Sequence, residues 1–209
     1  MTAPLRRAKG VTWGRDLRIP GLLYVVLAGG FLTVMMLGGT MAPGYLIGDS
    51  AISDLGVIRE TADLFNGSLV VVGVLQAAAS ILYFGVHRRR LILGVSLVAA
   101  FGATGVGLVP LDRGGLHSVF ALLAFLAFNL QAIVTAPVVR DPLRAISWLA
   151  GVIGLAFLVV MVIGDTGDAA ALGPIGHGGV ERMIVYPALL WLVALGGYLM
   201  ASDTTESPR

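Results

Sequence analysis

Cysteine is absent from all 209 residues, which excludes disulfides, thiolate metal sites and a thiol nucleophile. Charge is scarce as well. Asp, Glu, Lys and Arg make up 12% of the chain, about half of the roughly 25% usual in soluble domains. Lysine occurs once, at Lys9, and the formal net charge is only +2. Basic residues sit in short clusters between apolar runs rather than along one stripe, which gives no footing for nucleic acid. A phosphate-cradling loop, a dinucleotide fingerprint and a Gly-x-Ser-x-Gly elbow are all missing; Gly102, Gly105 and Gly107 lie inside an apolar run, not after a strand.

What is present is apolar. Hydrophobic residues are 57% of the chain and the mean hydropathy is +0.91. So short and apolar a chain cannot keep its surface wet, so lipid is the solvent for most of it. A spanning helix needs about 20 mainly apolar residues, because each rises about 1.5 Å through about 30 Å of hydrocarbon. Six stretches qualify: 19–41, 64–86, 91–109, 116–137, 146–164 and 183–201. Strands are excluded, since the runs lack barrel-type alternation and only helices or closed barrels satisfy the backbone in lipid. The expected fold is an all-α bundle of six transmembrane helices. Residues 1–18 form a basic amino-terminal segment, 19–201 the membrane domain and 202–209 a tail. The first run is longer than a signal-peptide core and five more follow it, so it reads as an uncleaved helix.

Orientation follows from the basic residues. Eleven lie on the side of the termini, among them Arg6, Arg7, Lys9, Arg15, Arg18, Arg88, Arg89, Arg90, Arg140 and Arg144. Only Arg59, Arg113 and Arg182 lie on the other. This predicts both termini in the cytoplasm and a multi-pass protein of the cell membrane, partnered by the bilayer and open to a membrane-protein partner or homo-oligomer. Small residues in the runs predict close helix packing. Trp148, Trp191, Tyr24 and Tyr198 read as interfacial or lipid-facing anchors. Gln76, Asn129 and Gln131 read as interhelical hydrogen-bond formers or solute contacts.

Polar chemistry collects in the three outer connections. They hold eight of the twelve carboxylates and two of the three histidines, His117 and His177. His177 and Glu181 are spaced i, i+4, which puts them on one face if the last helix extends back that far. Arg182, near the start of the last span, sits where the helix dipole disfavours a cation. A carboxylate partner is expected for it: Asp54, Asp112 or Glu181. The apolar and polar mixture of residues 52–56 suits a re-entrant or interfacial segment.

The segments ISDLG at 52–56, VPLD…H at 109–117 and GGVER at 178–182 resemble motifs of a prokaryotic, largely archaeal, multi-pass membrane-protein family of unknown function. The resemblance covers nearly the whole chain; it implies the fold and no chemistry.

The candidate polar site is therefore Ser53, Asp54, Asp112, His117, His177, Glu181 and Arg182, and three readings of it stay open. One is a metal site, with His117, His177, Asp112 and Glu181 as candidate ligands, zinc as candidate cofactor and hydrolysis of a lipid or amphiphile as the chemistry. Intramembrane hydrolases related to alkaline ceramidases and adiponectin receptors share the theme of Ser, Asp and His on packed helices, although this chain has six spans and only two histidines on that side. A second is small-solute transport past Gln76, Asn129 and Gln131. The third is a charge and hydrogen-bond network of Asp54, Asp112, His117 and Arg182 in a scaffold, sensor or partner-binding protein.

Overall fold

A computed structural model of the chain describes residues 16–202. The basic segment 1–15 and the tail beyond residue 202 lie outside the described residues. Six α-helices cover most of the rest: α1 (Arg18–Met41), α2 (Ala62–His87), α3 (Arg90–Leu108), α4 (Gly115–Thr135), α5 (Leu143–Asp165) and α6 (Gly176–Ser202). Among the described residues there is no strand, and six helices are long and apolar enough to cross a membrane. Each helix packs on its neighbours in sequence, and α6 closes the ring against α1. Large apolar side chains such as Leu22, Leu149, Val159 and Leu190 stand exposed on the outside of this ring, as lipid-facing positions do.

The ring is drawn together by missing side chains. Gly21 and Gly196 put α1 and α6 in backbone contact, since a Cβ on Gly21 would lie 2.7 Å from the Gly196 carbonyl oxygen. Gly102 lets α3 meet the backbone of α4 at Ala124. Between helices in lipid no hydrophobic force operates, so such close approach and its dispersion contacts supply the association.

Two of the expected anchors are core residues instead. Trp191 is buried and donates from Nε1 to the Ser147 hydroxyl at 2.8 Å, while Tyr24 is buried with its hydroxyl 3.2 Å from that of Ser80. In both, a ring that could have marked the interface finds its polar partner on another helix. The amides do bridge helices: Gln76 donates to Gln131 at 2.6 Å and Asn129 to the Ile184 carbonyl at 3.1 Å.

The helix bounds follow hydropathy to within about three residues except at α6. That helix begins at Gly176, seven residues before the apolar run, through a glycine-rich stretch with poor intrinsic propensity. Tertiary contact overrides propensity here. The chain segment 45–50 lies directly on this first turn, where the Gly179 N–H donates to the Gly48 carbonyl at 3.1 Å and a Cβ on Gly178 would meet the Ile47 carbonyl at 2.6 Å.

Candidate functional site

The connections 42–61, 109–114 and 166–175 gather at one end of the ring, here the site end; Arg88, Arg89, Arg90, Arg140 and Arg144 mark the opposite end. A 3-10 turn, Ile52–Gly56, plugs the site end with its apolar residues, Ile52 and Leu55, buried. Asp54 folds back on this turn, and its Oδ2 accepts the Ala51 N–H at 2.8 Å. The turn is fastened below by the Thr61 hydroxyl on the Leu55 carbonyl (2.7 Å) and by the Asn66 amide on the Gly56 carbonyl (2.8 Å).

Arg182 fastens the neighbouring segment without a carboxylate. It forms no ion pair with a described residue, which corrects the expected pairing with Asp54, Asp112 or Glu181. Its guanidinium instead donates to the carbonyls of Ile47 (2.7 Å), Ser50 (3.3 Å) and Gly178 (2.7 Å), and to the Tyr45 hydroxyl. Converging carbonyl dipoles offset a cation as a carboxylate would, and the rigid fork suits several acceptors at once. Tyr45 lies under the guanidinium, with the ring centroid 5.6 Å away, and passes its own proton to the Ala51 carbonyl at 3.0 Å. Burial raises its phenol pKa above the ordinary value against the lowering pull of Arg182, so the hydroxyl stays a donor.

His117 is 4% exposed and Glu181 5%. The Nδ1 of His117 lies 2.7 Å from the Val109 carbonyl, the orphan acceptor just past the end of α3. A carbonyl only accepts, so Nδ1 carries a proton, and in the neutral ring Nε2 is the acceptor. Gly114, at φ 61°, makes the turn that brings His117 back over α3; a side chain there would be strained. Glu181 accepts the Ile52 N–H at 2.5 Å through Oε2, its one hydrogen bond to protein. The i, i+4 expectation holds in that α6 carries both His177 and Glu181, but His177 turns to Asp165, 3.1 Å away.

These side chains divide two cavities. Below them, between α1, α2, α3, α4 and α6, lies an apolar chamber of about 80 Å³, lined by phenylalanines 31, 65, 125 and 128 and floored by Asn129. Above lies a vestibule of about 480 Å³, open to solvent and lined by Asp49, Asp54, Asp165, His117, His177 and Glu181 among others. Ser53, His117, Ala121, Phe125 and Glu181 line both. Leu122 and Val162 also line the vestibule and are about half exposed on the bundle's outer surface, so it reaches the lipid face between α4 and α5.

Of the seven expected site residues, Ser53, Asp54, His117, His177 and Glu181 share this space. Arg182 serves the adjoining loop, and Asp112 stands exposed on the Leu111–Arg113 turn, outside both linings. Of the expected network, Asp54, His117 and Arg182 fasten separate pieces of chain rather than one another, and Asp112 joins none of them. Among the described residues no three His, Asp or Glu side chains group as a metal site; His117 Nε2 and Glu181 are the donors left at the throat. Neither Gln76 nor Gln131 lines the chamber, which ends at Asn129. Sequence reasoning missed Tyr45 as an arginine partner and Asp165 as a histidine partner. Both contacts join distant segments, and only the position of Asp165 among the outer carboxylates gave any signal.

Fold and site together define a six-helix multi-pass membrane protein with a polar vestibule above an apolar chamber. The chain belongs to the family described as "Protein of unknown function (DUF998)", which matches residues 25–198. No curated protein and no solved structure matches it.

Proposed function

We propose that this protein binds an amphiphile at the outer face of the cell membrane, head in the vestibule and tail in the chamber. One observation carries the reading: the polar and apolar cavities adjoin, with Ser53, His117, Ala121, Phe125 and Glu181 lining both. Cavities that bind small molecules are mostly apolar with a few placed polar groups, and here all but Asn129, at the chamber floor, are at one end. The gap between α4 and α5 supplies a way in from the leaflet. The outward orientation of the site end rests on the arginine asymmetry, with both termini cytoplasmic.

A photoactivatable diazirine on the alkyl tail of a C16 amphiphile, added to the purified chain in nonionic detergent, tests this. Cross-links should map to 65–72, 121–129 and 184–189. Labelling confined to lipid-facing positions such as Leu22, Leu149 and Leu190 would overturn it.

A second reading, hydrolysis of the bond joining head to tail, is favoured by the residues at the throat. His117, with Nδ1 held by the Val109 carbonyl, turns Nε2 to the wall it shares with Ser53 and Glu181, where that bond would lie. The imidazole could take a proton from the Ser53 hydroxyl or from water as either attacks. Release of free tail from an ester amphiphile, lost in His117→Phe and in Ser53→Ala, supports hydrolysis; an ester bound and recovered intact leaves binding as the function.

A further inference from the structure

Resting on the amphiphile reading, the vestibule also says which kind of head it takes. Four carboxylates line it: Asp49, Asp54, Asp165 and Glu181. No lysine or arginine does, because the nearest guanidinium, Arg182, is committed to the carbonyls of Ile47, Ser50 and Gly178. The buried side chains there lean the same way. In the neutral ring His117 presents Nε2 as an acceptor, since Nδ1 donates to the Val109 carbonyl. Glu181 is buried, and with Oε2 taken by Ile52 its Oε1 has no protein partner. Thus two buried side chains, each with an acceptor atom unmatched by protein, stand where the two cavities meet. Neither atom is sealed off by protein, so a donor held in the vestibule can reach both.

We propose that the site selects a single-chain amphiphile whose head is a protonated amine. An ammonium group supplies three donors and a positive charge, matching an acceptor-lined, carboxylate-rich mouth. A phosphate, sulfate or carboxylate head would meet like charge and no cationic donor of Lys or Arg. A bare divalent metal fits less well, because the carboxylates are too dispersed to group around one ion. The chamber fits one tail of limited length. His117 and Asn129 are twelve residues apart on α4, so it runs about 18 Å from throat to floor. The half-buried His177–Asp165 pair sits at the rim, where the head enters.

The test is native mass spectrometry of the intact chain released from an uncharged detergent, with dodecylamine, dodecanol and dodecanoate in equal amounts. Dodecylamine should be retained about tenfold or more over dodecanoate, the effect expected of one charge pair. Glu181→Gln and, separately, Asp49→Asn should narrow that ratio while leaving retention of dodecanol unchanged. Asp49→Asn guards against a folding defect, being on the exposed rim. Equal retention of amine and carboxylate would overturn the head preference and leave the amphiphile reading standing. Retention of none of the three above the level seen with Ala121→Phe, which fills the throat, would overturn both.

Discussion

The two halves of this bundle solve opposite problems. Toward the arginine-rich end the helices meet at the backbone: Gly21 and Gly196 bring α1 and α6 together, and the polar groups between helices are small and uncharged. Gln76 bonds Gln131, Tyr24 meets Ser80, and Trp191 bonds Ser147. Toward the site end the same helices enclose a chamber ringed by phenylalanines, and every buried ionisable side chain of this half, Glu181 and His117, faces it. The difference teaches how an apolar chain without disulfides can hold open a hole. The hollow is held between seams of close contact: Gly21 and Gly196 clamp α1 on α6 at one end, and Gly107 brings α3 against the Asn66 carbonyl of α2 at the other. Cavities in close-packed interiors cost stability, so a hollow ringed by large side chains is a feature that its surroundings must support.

The clamp should be the most sensitive part. Gly196→Leu or Gly21→Leu forces two backbones apart, and overpacking of this kind should cost about 3 kcal/mol or more. The thermal midpoint of the purified chain and its monodispersity in detergent report it. A variant that unfolds like the parent would show that the seam is looser than its geometry and that the comparison fails at its root. Arg182→Ala should come next. It strands the carbonyls of Ile47 and Ser50 and should cost about 2 kcal/mol, as for other hydrogen bonds to a charged group. The loss should be local: faster amide exchange over residues 45–56, with α1 and the second half of α6 unchanged. Arg182→Lys should recover only part, because an ammonium lacks the fork. Uniform acceleration along all six helices would mean that the loop is integral to the clamp.

The closed half can be probed more gently. Gln131→Ala removes one side of the amide pair and should cost about 1 kcal/mol, the scale of interhelical hydrogen bonds in membranes. Replacing both partners, with Gln76→Leu and Gln131→Leu together, should be close to neutral, because no buried group of the pair is then left unmatched. Gln76 Oε1 and Gln131 Nε2 already lack a partner among described residues. A double variant much weaker than the single one would show that the pair does more than hold helices together.

Hydropathy alone read the solvent, the number of helices and nearly all their ends, because a hydrocarbon slab imposes one length on every crossing. It also found the end of the molecule where polar groups collect. It could not see that α6 begins at Gly176, since that start depends on the Gly48 carbonyl 128 residues earlier in the chain. Nor could it assign Arg182, for which backbone carbonyls, invisible to residue type, replaced the expected carboxylates. Tyr24 and Trp191 look like interfacial aromatics by type and were placed in the core by hydroxyls on other helices. The chamber was the least legible of all. It is a space between Phe31, Phe65, Phe125 and Phe128, and nothing in an apolar run distinguishes a phenylalanine that fills a core from one that rings a hole.

The smallest expected change in stability tests the hollow half most directly. Ala121 lines both cavities and is half-buried, so a larger side chain there grows into empty space rather than into a neighbour. Ala121→Phe should therefore leave stability within about 1 kcal/mol of the parent. Its thermal midpoint should be unchanged or slightly raised, because an aromatic ring gains contacts where the cavity wall now lacks them. Retention of dodecylamine, read by mass spectrometry, should nevertheless fall about tenfold, since the ring closes the throat between vestibule and chamber. Stability and retention moving in opposite directions is the signature of space kept for an occupant. If the variant gains stability and retains the amine as before, the chamber is slack packing, and the contrast between the halves is one of packing density alone.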